Sequence, residues 1–259
     1  GDTRFTTRFD EKDPFSCLYA VMHEAGHGLY EQGLDSNFAF TPRGNAISLG
    51  VHESQSRFWE NQIGRTESFW KVARPWFNEI FPGVEALDEE QLNLLTNEVK
   101  ADFIRVEADE ITYNLHIMLR YEIEKMIFND GLSVDKIEET WNRLFYEWFG
   151  IEVPSPDLGC IQDVHWAYGA FGYFPTYTLG NMYAAQFTEK MVESTGSIDE
   201  VVVSNDWSNM KVWLTENVHR HGRLYMPADF LFSATGKAPN PEPFLKYIEE
   251  KFTRLYQLN

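Results

Sequence analysis

The chain has 259 residues, 43% of them hydrophobic and 24% charged, the make-up of a globular protein with enough length for a sizeable core. Its 22 basic residues face 40 acidic ones, a formal charge of -18, which argues against nucleic acid and anionic membranes as partners. No stretch approaches the roughly 18 unbroken apolar residues of a membrane span, no basic region followed by an apolar run opens the chain, and Cys17 and Cys160 sit in no C-x-x-C pattern; the expectation is a cytoplasmic protein with no export signal and no disulfide framework.

Thr3 to Phe9 alternates Phe5, Thr7 and Phe9 against Arg4, Thr6 and Arg8, the two-residue period of a half-buried strand. Asp13-Pro14 then opens a helix expected at about 14 to 34 and ended near Gly33. After a loop or short strand around 38–43, a second helix is expected from about Ile47 to Gly64. Thr66 caps a third, which Pro82-Gly83 terminates. Asp88 starts another. Ile104, Ala108, Ile111, Leu115, Met118, Leu119 and Met126 keep helical spacing to Asp130-Gly131, which reads as one long helix, and Ser133 caps the next. Between Pro154 and Pro175 glycines and aromatics mark an ordered loop. Helices follow at about 176–194, 206–220, 227–235 and 241–257. No internal repeat or flexible linker divides the chain, so residues 1–259 read as a single domain, mainly α with a small β-sheet at its amino end.

The first helix carries His23-Glu24-Ala25-Gly26-His27. Histidines four apart lie about 40° from each other on a helix, near enough for both imidazoles to hold one Zn²⁺ ion. Glu24 lies about 100° round from His23, so it flanks the metal without ligating it and is placed to take a proton from water. Such a pair also occurs as surface or core histidines without metal, and a third ligand decides between the readings. Glu53, 26 positions after His27 in a separate helix, completes a His₂Glu set that leaves one position open, although alone it would read as a solvated helix acid. Gln55 and Arg57 are candidates to orient Glu53, and His52 is equally a neighbour of the metal or a packing residue. Arg105 and Asp109 read as an ordinary ion pair one helical turn apart. His165 and Tyr173 fall in the aromatic loop, His116 on an apolar helix face, and His219 and His221 at a solvated helix end.

Five motifs carry a resemblance: Asp13-Pro14-Phe15, His23-Glu24-x-x-His27, His52-Glu53-Ser54-Gln55, Ile104-Arg105-x-x-Ala108-Asp109 and Gly159-x-x-Gln162-Asp163-x-His165-Trp166. In order and relative spacing they are similar to those of the M32 metallocarboxypeptidases, the carboxypeptidase Taq family, and the similarity continues through Gly172-Tyr173-Phe174-Pro175 and Tyr177. The resemblance implies a zincin-like helical metallopeptidase with a small sheet beside the active-site helix. It implies one Zn²⁺ per chain on His23, His27 and Glu53, with Glu24 as general base. It makes Arg105 the receiver of the substrate's terminal carboxylate, and His165 and Tyr173 donors to the oxyanion. The expected activity is removal of single residues from peptide carboxyl termini with broad specificity, by a homodimer. Family members are longer; this chain resembles their carboxyl-terminal half, with the amino-terminal helical half absent. The alternatives are a zincin endopeptidase or aminopeptidase, or a non-catalytic peptide-binding remnant.

Overall fold

The protein is described by a computed structural model that covers residues 2–81 and 83–258. Eleven α-helices occur among the described residues: α1 Pro14–Gly33, α2 Leu49–Arg57, α3 Glu67–Ile80, α4 Glu89–Thr96, α5 Thr112–Asn129, α6 Ile137–Phe149, α7 Pro175–Thr195, α8 Ile198–Ser204, α9 Ser208–Asn217, α10 Pro227–Thr235 and α11 Glu242–Tyr256. None is long and apolar enough to cross a membrane. Local chemistry sets several starts. The Asp13 carboxylate accepts a hydrogen bond from Ser16 N with Pro14 in the first turn of α1, Ser48 caps α2, and Thr66 caps α3, each side chain satisfying an otherwise unpaired N–H. Beyond Arg57 the α2 ladder widens into a π-helical turn over Phe58–Ile63, closed by Gly64 N donating to Trp59 O at 3.0 Å.

The chain forms two compact units. The first takes residues 1–96 and 179–259, the second residues 97–178. In the first, one core gathers Tyr30, Val51, Phe58, Phe187, Met210 and Phe230, and another packs Tyr19 with Trp70, Phe77 and Leu92. In the second, Leu119 and Ile123 of α5 meet Trp141 and Phe145 of α6, and Phe174 joins Tyr113 and Ile117.

Three expectations need correction. No strand occurs among the described residues, so the small β-sheet is absent: residues 2–10 carry no regular structure and Phe5 and Phe9 are exposed. A lone segment with strand-like alternation has no ladder to join, and alternation alone does not make a sheet. The long helix starts at Thr112 instead of Ile104. Gln162 accepts from Arg105 N at 2.9 Å and donates to Phe103 O at 2.9 Å, which takes those backbone groups out of any helical ladder. Asp109 then caps α5, accepting from Ile111 N and Thr112 N at 2.9 Å each. Lastly, the helix expected at 206–220 is preceded by α8, which carries a full Ser197/Glu200 capping box.

Candidate metal centre

Within the first unit, α1 and α2 cross closely enough to bring His23 and His27 against Glu53. The crossing depends on Gly26, because a Cβ there would lie 2.4 Å from Gln55 O and 2.6 Å from Ser56 Cα. Gly180 of α7 clears space from the other side, since a Cβ at that position would meet Glu53 Cγ at 2.4 Å. Glu53 Oε2 lies 3.6 Å from His23 Nε2 and 3.5 Å from His27 Nε2. Ligand atoms about 2.0 to 2.2 Å from a tetrahedral ion sit roughly 3.3 to 3.6 Å from one another, so these residues fit a divalent metal, and they are the one such cluster among the described residues. Two imidazole nitrogens and one carboxylate oxygen make a donor set suited to zinc and related ions.

Each donor has its own outer partner. Arg57 Nε donates to Glu53 Oε1 at 2.8 Å, which turns the other oxygen toward the histidines. The expectation held for Arg57 but not for Gln55, whose amide oxygen pairs with His219 Nε2 at 2.8 Å. That pairing buries His219, expected at a solvated helix end, to 5% exposure. His23 Nδ1 donates to Glu60 Oε2 at 2.8 Å, and Glu60 also takes Arg57 Nη1 at 3.0 Å and an ion pair with Arg65 at 3.7 Å. Burial works against a charged Glu60, yet the cations and His23 outweigh it and hold its carboxyl well below the usual range. Burial likewise opposes a charged His23, and its hydrogen bond to Glu60 together with the negative charges of Glu60 and Glu53 outweighs that and raises its pKa. His27 Nδ1 faces His52 O at 3.1 Å, and burial with the nearby His23 pulls its pKa down to about 4. Glu24, one residue beyond His23, is half-buried, and its carboxylate makes no hydrogen bond or ion pair among the described residues.

Sequence reasoning missed Glu60 and Gly180, whereas Gly26, in the motif itself, reads from the sequence as a glycine that permits close packing near the metal. Glu60 had a readable signal, an acid three residues after Arg57 and seven after Glu53 on one helical face. Gly180 had only its small size.

The other expected site residues belong to the second unit. Arg105 is 5% exposed; its Nη2 donates to Asp163 Oδ1 at 2.7 Å and its Nη1 to Tyr113 Oη at 3.0 Å. Asp163 also accepts from Arg120 Nε at 2.7 Å. Burial opposes a charged Asp163, but the two guanidinium groups outweigh it and lower its pKa. Asp109 therefore does not hold Arg105; it caps α5. His165 Nε2 pairs with Tyr177 Oη at 3.1 Å and its ring lies 5.0 Å from that of Tyr173. Burial depresses its pKa, so it is neutral near pH 7. Its Nδ1 is buried without a hydrogen-bond partner among the described residues. Glu124 steadies the loop, accepting from Trp166 Nε1 at 2.8 Å and Gly172 N at 2.9 Å.

Comparison with known proteins places this arrangement. The family model for the carboxypeptidase Taq (M32) metallopeptidases matches residues 1–252. Carboxypeptidase 1 of Bacillus subtilis is 43% identical over the whole chain, and thermostable carboxypeptidase 1 of Thermus thermophilus is 43% identical over 99% of it; the matches cover 52% and 50% of those proteins. The chain thus spans about half the length of the curated relatives it matches. The crystal structure of an M32 carboxypeptidase from Deinococcus radiodurans superimposes with a TM-score of 0.94 at 40% identity, over 97% of this chain and 51% of that one. Metallocarboxypeptidase 1 of Trypanosoma cruzi gives 0.87 at 36% identity, over 91% and 50%. A two-histidine motif alone recurs on many folds, but likeness at this level across nearly all of the residues does not arise from a motif, and the chain belongs to the carboxypeptidase Taq (M32) metallopeptidase family.

Proposed function

We propose that the chain acts as a zinc-dependent carboxypeptidase that hydrolyses the last peptide bond of peptides with broad specificity, residues 1–259 serving as one catalytic domain. The observation that carries this reading is the convergence of His23 Nε2, His27 Nε2 and a single oxygen of Glu53 beside an uncommitted Glu24 carboxylate. A divalent ion held by these three residues polarises a carbonyl and acidifies water. Glu24 takes the proton from the attacking water and hands it to the leaving amine, and its freedom from protein hydrogen bonds suits a group that must exchange protons with substrate. Arg105 receives the terminal carboxylate, since a free α-carboxylate is distinguished from an internal amide by charge-assisted hydrogen bonds. His165, with its unpartnered Nδ1, and Tyr173 donate to the developing oxyanion. The names of the curated relatives and solved structures support carboxypeptidase over endopeptidase or aminopeptidase.

The test is hydrolysis of N-blocked peptides with free carboxyl termini, following release of single residues. An aminopeptidase leaves such peptides intact. Glu24→Gln is expected to retain one equivalent of metal and to lose turnover by at least about 100-fold, the range for a general base. Equal turnover in wild type and variant overturns the role of Glu24. Zinc bound without any hydrolysis by wild type returns the reading to a peptide-binding remnant. A homodimer and a cytoplasmic location belong to the same proposal, and sedimentation of the purified chain and fractionation of cells check them.

A further inference from the structure

The three donor residues do not explain why a fully committed carboxylate stands behind one histidine and a histidine stands behind the other. Glu60 sits in the π-helical turn, flanked by Phe58, Trp59 and Ile63, a place where an unpaired charge is disfavoured. It is nevertheless ionised, tied to Arg57 and Arg65, and aimed at His23 Nδ1.

We propose that Glu60, and the pair His52 and Glu31, form two outer hydrogen-bond lines that fix the tautomers of His23 and His27, with Glu60 the residue that sets how tightly the centre keeps its metal. This rests on reading His23, His27 and Glu53 as metal ligands. A neutral imidazole has one N–H and one lone pair, and only the lone pair can bind an ion. Glu60 Oε2, 2.8 Å away, only accepts, so His23 Nδ1 carries the hydrogen and Nε2 presents its lone pair beside Glu53 Oε2. The carboxylate also draws on that N–H and makes the opposite nitrogen a better donor to a metal.

The second line runs parallel but is built differently. His27 Nδ1 faces a pure acceptor, His52 O at 3.1 Å, so it too carries the hydrogen and leaves Nε2 for the metal. His52 Nδ1 lies 2.6 Å from the same atom and therefore takes the lone-pair role, and its Nε2–H donates to Glu31 Oε1 at 2.9 Å. All three assignments are mutually consistent: each hydrogen has one donor, and the one on His27 Nδ1 is shared between His52 O and His52 Nδ1. The two terminal carboxylates are not equivalent, however. The Glu31 side chain is 45% exposed and that of Glu60 12%, so water screens the first and not the second.

Glu60 has a further task. Arg57 is bonded to the ligand Glu53, which sets a positive charge next to a place for a dication. Glu60 cancels that charge through Arg57 Nη1, and Arg65 in turn balances Glu60. Removing the charge on Glu60 loosens His23 and leaves Arg57 opposing the metal.

Zinc affinity is measured on the full chain by competition with a chromophoric chelator, for wild type, Glu60→Gln and Glu31→Gln, with circular dichroism and melting of the metal-free proteins in parallel. Glu60→Gln is expected to weaken zinc binding by about 10- to 100-fold, and Glu31→Gln by no more than about fivefold, as for an exposed pair. The metal-free forms are expected to keep their helical content, because Arg57 retains Glu53, and Arg65 retains Thr96 O and the Tyr19 ring. Wild-type affinity in Glu60→Gln, or a larger loss in Glu31→Gln, overturns the proposal. If Glu60→Gln does not fold, nitrogen-15 spectra of zinc-loaded wild type decide: Nδ1–H on both histidines with metal at Nε2 is expected, and ligation through Nδ1 of His23 overturns it. Failure of wild type to bind zinc instead removes the metal reading itself.

Discussion

Arg105 shows how a single residue changes meaning between sequence and structure. Its guanidinium has five N–H groups, and the bonds to Asp163 and Tyr113 engage three of them, leaving one on each of Nη1 and Nη2. That is the fork a carboxylate matches with two bonds. Asp163 with Arg105 and Arg120 carries one net positive charge in a buried setting, so the cluster accepts an anion more readily than a neutral amide. Arg105→Ala is expected to lower kcat/KM on a free-acid peptide by roughly 30- to several-thousand-fold, the range for losing a charge-assisted contact of about 2 to 5 kcal/mol. Little change is expected on the corresponding carboxyl amide, and zinc content stays constant. Equal losses on acid and amide would assign Arg105 to the fold and move the search for a clamp to His165 and Arg57. His23, His27 and Glu24 were legible as candidates because their spacing alone carries chemistry, and Glu53 through the motif around it. The spacing of Glu60 from Arg57 and Glu53 did not point to His23, which stands 37 positions earlier in the chain and is joined to it only by the crossing of two helices.

At the scale of elements, the contact of α1 with α2 and the π-helical turn that follows determines where His23, His27 and Glu53 point. π-helical turns are rare and recur at functional sites, and this one begins directly after Arg57, the residue that bridges Glu53 and Glu60. Gly26→Ala tests the contact. A methyl group 2.4 Å from a backbone carbonyl has no flexible side chain to push aside, so α1 and α2 must separate. Unfolding stability is expected to fall by about 1 to 3 kcal/mol, as for overpacking, and zinc affinity to fall with it. Undiminished zinc affinity in a folded Gly26→Ala protein would show that the helices absorb the change. Most helices were readable from capping residues and apolar period, as Asp13-Pro14 and Thr66 illustrate. The misplaced start of α5 and the absent sheet have a common cause: whether Phe103 to Arg105 and Thr3 to Phe9 are regular depends on hydrogen-bond partners far away in sequence, which period alone does not record.

For the molecule as a whole, two buried histidines couple stability to pH. Burial holds His219 neutral with a pKa of about 4, and burial together with Arg120 takes His116 to about 3. Both values lie below the unfolded value of about 6.5, so the unfolded chain takes up protons that the native chain refuses. The stabilising effect is complete above pH 6.5 and is lost as pH falls toward 4, on the order of 2 kcal/mol for each histidine between pH 7.5 and 5. His219→Gln, which keeps a donor for Gln55, is expected to remove one such contribution. Urea unfolding at the two pH values measures it, and an unchanged difference between them would place the proton uptake elsewhere. The division of the chain carries a consequence of another kind, for the order in which the protein is made. The unit from Asn97 to Thr178 is one uninterrupted stretch, whereas the unit that holds His23, His27 and Glu53 is split around it. During synthesis His23, His27 and Glu53 emerge before the intervening unit, but Gly180, which makes room for Glu53, and the helices that complete the surrounding core are translated only after the whole of that unit. The ligand-bearing helices must therefore close a long loop before they are finished, and a nascent chain halted before Leu179 would present its metal residues on an incomplete core, the state in which folding intermediates expose apolar surface and aggregate.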